Sequence, residues 1–193
     1  MNSKDFFSFQ NLKYVDRWVG TPMMNRSNVL EHTARVVYLT SILSECVSVV
    51  TREESLELAI FHDMEEVITG DIPYLAKVRY PEIKKVLKKC FPDKSPTVAS
   101  QIVKMADILD VLYEAAIEVQ SGSRIPDFID APDLVIDMVK HWKEKWPEVT
   151  NATTLHNEKR WVSEAAIKVL KEWSGQFILL SGSFINSVEK AIL

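Results

Sequence analysis

Apolar residues return every three to four positions along almost the whole chain, and this period constrains the fold more than any other feature of the sequence. A 3.6-residue repeat builds helices with one apolar face, whereas the strict alternation of a half-buried strand is missing. Glycine, which would interrupt helices, occurs only five times in 193 residues. With 47% hydrophobic residues the chain can fill one core and is short for two. No strand series, repeat, low-complexity segment or linker divides it. The expectation is an all-α bundle in one domain, residues 1–193, packed helix on helix. Its chemistry-bearing part spans about 6–120, and a helical C-terminal part spans about 131–193.

Turn and cap signals divide the chain. A short helix is expected from Asp5 to Leu12, followed by the irregular "RWVGTPMMNRSN". Asn28 suits the N-cap of a long helix reaching about Val49. Thr51 and Glu54 read as a capping box for a helix ending near Gly70. Pro73 and Pro81 bracket a loop, and "PEIKKVLKKC" forms a charged helix. After "FPDKSP" an apolar helix runs from about Pro96 to Gln120. "SGSRIPDFIDAPD" reads as a loop. Further helices are expected at Pro132–Trp146 and Asn157–Trp173. The first half of the tail "GQFILLSGSFINSVEKAIL" reads as strand or loop, and its end as a short helix.

Composition excludes several classes. The net charge of −4 leaves no basic excess to hold a nucleic-acid backbone. The two cysteines, Cys46 and Cys90, are far apart and in no motif, which suits a reducing compartment. "MNSKDFFSFQ" lacks a secretory pattern, and no run approaches the ~18 apolar residues of a membrane span. A cytoplasmic protein without a nucleic-acid or membrane partner is expected.

The apolar stripes carry polar intruders. At 100° per residue, Val29, Val36, Leu39, Leu43, Cys46 and Val47 share one face, with His32 in its middle. On the next helix Leu56, Ala59, Ile60 and Val67 form the stripe, and Asp63 falls on it between His62 and Glu66. A lone histidine on such a face is explained by one hydrogen-bond partner. A buried carboxylate costs several kcal/mol unless a cation sits beside it. A divalent metal would neutralise Asp63 and use both imidazoles. Farther on, Lys104, Asp107, Asp110, Glu114 and Glu118 share a polar arc, which a solvated face explains as well as a ligand does.

A histidine within a helix, a His-Asp pair on the next and a later aspartate resemble the HD-domain metal-dependent phosphohydrolases. "DRWVG", "SNVLEHT", "FHDMEEVITGDIP" and "VKMADILDVL" are similar, in order, to the RW, ENVxEHS, HDxxEVxTGDxP and KxAD motifs of the 5′-deoxynucleotidase (YfbR-like) branch. The similarity runs from Phe6 to about Tyr113. Phage enzymes that strip triphosphate from deoxyadenosine triphosphate resemble the chain in the same motifs. The segment from Asp71 to Asp107 is shorter than in bacterial nucleotidases and lacks a second proline after "DIP".

The resemblance implies an HD-domain helical bundle in which His32, His62, Asp63 and Asp107 hold one divalent metal. Such a set suits cobalt, manganese, zinc or nickel alike. His141 and His156 follow Asp107, which speaks against a second, histidine-built site. Glu66 is the implied general base or proton shuttle, and Asp71 the group that protonates the leaving oxygen. Arg17 would fork onto phosphate. Trp18 would lie against the sugar and leave no room for a 2′-hydroxyl, with Thr69 lining the same edge. Lys77 is near enough in sequence to reach a polyphosphate, whereas Arg79, Lys84, Lys85, Lys88 and Lys89 read as solvated charge. The implied activity is a 5′-deoxynucleotidase acting on deoxynucleoside 5′-monophosphates. The alternative is a deoxynucleoside triphosphate triphosphohydrolase. A helical binding module is the third reading, and Glu66 beside the ligand set counts against it. The family favours homo-oligomers, and "FILLSGSF" reads as contact surface or core.

Overall fold

The computed structural model describes residues 9–90, 96–146 and 152–192. Among them are ten α-helices: α1 (Val29–Leu43), α2 (Val49–Phe61), α3 (Glu66–Thr69), α4 (Tyr74–Arg79), α5 (Pro81–Cys90), α6 (Val98–Gln120), α7 (Pro126–Ile129), α8 (Ala131–Glu144), α9 (Ala152–Ser174) and α10 (Gly182–Ile192). The helix expected at Asp5–Leu12 begins outside the described residues. Residues 9–11 are helical, and a 3₁₀ turn follows at Leu12–Tyr14. The sole β feature among the described residues is an isolated bridge between Asp16 and Asn28.

Caps set most boundaries. Asn28 accepts the Glu31 amide and starts α1 as expected. The helix stops at Leu43, not near Val49. The Ser44 hydroxyl donates to the Thr40 carbonyl at 2.6 Å, and Ser48 then caps α2 by accepting the Thr51 amide at 3.1 Å. The cap is therefore Ser48, three residues before the Thr51 that the sequence suggested. Val49 and Val50 are exposed, and so are Cys46 and Ile60, which periodicity alone assigned to stripes.

The helix expected to reach Gly70 breaks at Phe61. Residues 62–65 form a turn tightened by i→i+3 bonds, Met64 N to Phe61 O and Glu66 N to Asp63 O. One more helical turn, α3, ends at Gly70, whose φ of 69° lies in the left-handed region that glycine tolerates. The bracketed loop after Pro73 is instead α4, since proline is compatible with a helix start. It ends before Pro81, which disfavours helical backbone at Tyr80. The loop at 121–131 contains the single turn α7, again opened by proline. Thr97 and Ser100 form a reciprocal capping box for α6. The tail makes turns before α10 and no strand.

Helix α6 is the axis of the bundle. It packs on α1, α2, α8 and α9, while α10 closes over α8 and α9. The core joins Val36, Leu39 and Leu43 of α1 to Ile102, Met105, Ile108, Leu109 and Leu112 of α6. Val139 and Trp142 of α8 and Val162 and Leu170 of α9 complete it. Each such side chain contributes roughly 1.5–3 kcal/mol by leaving water. "FILLSGSF" divides: Leu180 and Phe184 are core, and Ile178 is exposed. A smaller cluster of Ala115, Phe128 and Ala131 receives Trp18, which seats the loop before α1 against α6 and α7. No described helix is long and apolar enough to cross a membrane.

Candidate metal centre

Three elements deliver the polar intruders to one point. α1 contributes His32, fully buried; the turn after α2 contributes His62 and Asp63; α6 contributes Asp107. His32 Nε2 lies 3.1 Å from His62 Nε2, 3.2 Å from Asp63 Oδ2 and 3.5 Å from Asp107 Oδ1. His62 Nε2 lies 3.1 Å from the same Asp63 oxygen. Ligand atoms of His32, His62 and Asp107 all fall within 4.8 Å of one another.

The opposite ring nitrogens explain what this point needs. His32 Nδ1 donates to Asp110 Oδ2 at 2.7 Å, and His62 Nδ1 donates to the Ala59 carbonyl at 2.8 Å. In the neutral rings both Nε2 atoms then carry lone pairs, and these face each other and two carboxylates. Such a convergence of acceptors requires a cation, either protons or a metal. Donors bound ~2.0–2.1 Å from a common ion stand ~3.0–3.4 Å apart, close to the spacings seen here. The residues fit a nitrogen- and oxygen-ligated divalent ion, with Asp110 and Ala59 fixing the tautomers.

Without an ion the cluster holds protons. Burial alone would lower the His62 value, but the Asp63 carboxylate overrides it and pushes it up to about 9. His32 is also raised, with Asp110 and Asp63 outweighing burial and the nearby Arg17. Burial opposes ionisation of Asp63, yet the two imidazoles hold it well below the ordinary carboxylate range. Asp107 falls to about 2 despite burial, drawn down by Lys104 and then His32. Lys104 Nζ holds Asp107 Oδ2 at 2.5 Å, leaving Oδ1 towards His32.

The polar arc of α6 beyond Asp107 is not a solvated face. Asp110, Glu114 and Glu118 are buried, and each is partnered. Arg35 bridges Asp110 and Glu114 at 2.5 Å each. Glu114 also accepts the Trp18 indole N–H at 2.8 Å, accepts the Ser27 hydroxyl, and meets Arg17 Nε at 3.1 Å. Glu118 accepts the amides of Met24 and Asn25. Sequence reasoning gave Asp110, Arg35 and Glu114 no role. The signal was their one-turn spacing, opposite Arg35 one turn beyond His32.

The other expected residues lie around this centre. Glu66 is buried with one oxygen unpartnered. Burial first, then the Asp63 and Asp71 charges, push it up to about 8. The Asp71 carboxylate accepts the backbone N–H of Trp18 at 2.8 Å, holding that residue at φ 56°. Arg17 is largely buried, and the Trp18 ring meets Phe128 edge-on at 5.0 Å. The Thr69 hydroxyl bonds locally to the Glu65 and Gly70 carbonyls. Lys77 is half-buried on α4, and its charge acts on Glu65 and Glu66. Arg79, Lys85, Lys88 and Lys89 are exposed. His141 is exposed beside Glu144, and the His156 and Lys84 side chains lie outside what the structure describes.

Residues 5–92 match the family model described as 5′-deoxynucleotidase YfbR-like, the branch that the motifs resemble. The matched segment holds His32, His62, Asp63, Glu66 and Asp71, whereas Asp107 lies beyond it. A 5′-deoxynucleotidase of Vibrio vulnificus is 32% identical over 95 residues, covering 46% of this chain and 49% of that protein. One from Pectobacterium atrosepticum is 29% identical over 126 residues, covering 58% and 62%. The chain spans about half the length of the curated relatives it matches. The cyanophage S-2L HD phosphohydrolase DatZ, solved with dA and one catalytic Zn²⁺ ion, superposes with TM-score 0.63 at 17% identity over 89% of this chain and 98% of that one. An HD-domain phosphohydrolase from Listeria innocua gives 0.64 at 16% identity over 98% and 96%. These likenesses show an all-α HD-domain bundle.

Proposed function

We propose that this chain is a metal-dependent phosphohydrolase of the YfbR-like kind, a 5′-deoxynucleotidase that releases phosphate from deoxynucleoside 5′-monophosphates. The convergence of two imidazoles and two carboxylates, with both Nδ1 atoms already committed, carries the reading. His32, His62, Asp63 and Asp107 would hold one divalent ion, with cobalt, manganese, zinc and nickel as the candidates. When bound, the ion supplies a Lewis acid that acidifies water and offsets phosphate charge.

The chain's own groups supply the rest. Glu66, with one oxygen unpartnered and a value raised to about 8, would exchange a proton with the attacking water, accepting it in the ionised form and returning it. Asp71 is assigned the leaving oxygen, a task it shares with fixing the Trp18 backbone. Arg17, held by Glu114 in an otherwise acidic protein, offers N–H groups to phosphate. The Trp18 ring, pinned at its N–H by Glu114 and at its side by Phe128, is rigid enough to exclude a 2′-hydroxyl. Thr69 would line that edge through its methyl group, since its hydroxyl is bonded locally. Lys77 would meet phosphates beyond the first. The proposal extends to a cytoplasmic homo-oligomer, which sedimentation would check.

The test is incubation of metal-loaded protein with deoxy- and ribonucleoside mono- and triphosphates, with products separated. Inorganic phosphate from deoxynucleoside monophosphates is the expected result. Intact triphosphate released beside free deoxynucleoside would replace it with the triphosphohydrolase reading. Bound metal with no phosphate released from any substrate would leave a binding module.

A further inference from the structure

Arg17, Trp18 and Asp71 open onto a cavity of about 130 Å³ that also involves α6, α7 and α8. Pockets that take a whole drug-sized ligand run to ~300–1,000 Å³, so this one fits a fragment such as a single planar ring system. Its apolar lining is the Trp18 ring, Pro73, Val111, Leu134 and Met138. Val111 stands one turn beyond Asp107 on α6, so the cavity adjoins the metal cluster. Trp18 offers an aromatic surface and Met138 an adaptable one, as a flat heteroaromatic ring requires.

The polar groups away from Arg17 and Asp71 are Thr21 and Asp127. The Thr21 hydroxyl donates to Asp127 Oδ2 at 3.3 Å. Among the described residues this is the one hydrogen bond the Asp127 carboxylate accepts. Asp127 therefore presents acceptor capacity to an apolar cavity, and the proposed function gives it no task.

We propose that this cavity is a nucleobase subsite in which Asp127 selects bases bearing an exocyclic amino group. The proposal rests on the deoxynucleotide-hydrolase reading and adds base selection to it. Adenine, cytosine and guanine each carry an amino group that can donate to a carboxylate. Thymine presents carbonyl oxygens in place of that group, and their lone pairs would face the Asp127 oxygens. A hydrogen bond to a charged group discriminates by roughly ten- to a hundredfold.

Deoxynucleosides isolate this subsite because they lack the phosphate that Arg17 would hold. Calorimetric titration of the wild-type protein with deoxyadenosine, deoxycytidine and thymidine should show thymidine bound at least ~10-fold more weakly. In Asp127→Asn the amide offers a donor as well as an acceptor, and the preference should collapse. Equal binding of the three by wild-type protein, or no binding, overturns the subsite without recourse to any variant. A preference unchanged in a folded Asp127→Asn protein overturns the role of Asp127. Phosphate release from deoxynucleoside monophosphates, measured in parallel, reads the other hypothesis separately. Hydrolysis without base preference removes only the subsite, whereas base preference without hydrolysis keeps the subsite and removes the enzyme.

Discussion

A carboxyl group with one oxygen unpartnered and little water around it prefers to be neutral, and Glu66 is in that position, with its value raised to about 8. Its neighbours differ because their charge is offset: Asp63 and Asp107 stay ionised beside imidazoles and Lys104. This contrast separates proton transfer from ligation and predicts different mutational outcomes. Glu66→Gln should retain bound metal and lose about 10²–10⁴-fold in turnover. His62→Ala should lose metal and activity together. Elemental analysis of both purified variants checks this, and full metal content in His62→Ala would remove that residue from the ligand set. At Trp18, truncation to alanine should raise activity on ribonucleotides relative to deoxyribonucleotides even if both rates fall. An unchanged ratio would refute a steric wall.

At the scale of the element, α6 does two jobs with opposite faces. Its apolar side forms the axis of the core, and its acidic side carries Asp107, Asp110, Glu114 and Glu118 at one-turn steps. Asp110 fixes the His32 tautomer, Glu114 anchors Arg17 and Trp18, and Glu118 holds the loop that follows them. A rigid helix thus sets the distance between the metal cluster and the groups proposed to grip substrate. Asp110→Asn should weaken metal affinity by about 10–100-fold, the usual loss when a ligand's supporting carboxylate is removed. Competition with a chromophoric chelator measures it. Affinity equal to wild type would show that Ala59, α1 packing and the ligands themselves suffice to orient the rings.

Across the whole molecule, the buried charge cluster makes metal-free stability depend on pH. His62 rises from 6.5 to about 9, so its contribution is complete below 6.5 and is lost as pH climbs through 9. Glu66 rises from 4.5 to about 8, so folding favours its protonated form and stability drains away between those values. The lowered aspartates contribute throughout this range and add no slope. Chelated protein should therefore have a Tm several degrees lower at pH 9 than at pH 6. Divalent metal should raise Tm most at the alkaline end, where it takes the place of the missing protons. Calorimetry at both pH values, with chelator and with metal, reads the effect. A chelated Tm that rises towards pH 9 would contradict the proposed electrostatics.

Local chemistry made much of this legible. The 3.6-residue period, scarce glycine and the Asn28 cap were enough for an all-α bundle, because helix formation and capping depend on near neighbours in the chain. His32 and Asp63 stood out by occupying apolar stripes, and the spacing of His62, Asp63 and Glu66 was visible in one short segment. Tertiary structure decided three things. It broke the second long helix at Phe61 into an i→i+3 turn and brought His32 of α1 and Asp107 of α6 to the adjacent His62 and Asp63 side chains. It ended the first long helix at Leu43 and left Cys46 exposed, since which apolar residues leave water depends on distant partners. It decided the acidic arc of α6, which periodicity left open between solvated face and ligand, as a buried ladder, because Arg35, Arg17 and Trp18 reach it only when the chain has folded. Periodicity reports which residues share a face; what that face meets is a property of contacts between residues far apart in sequence.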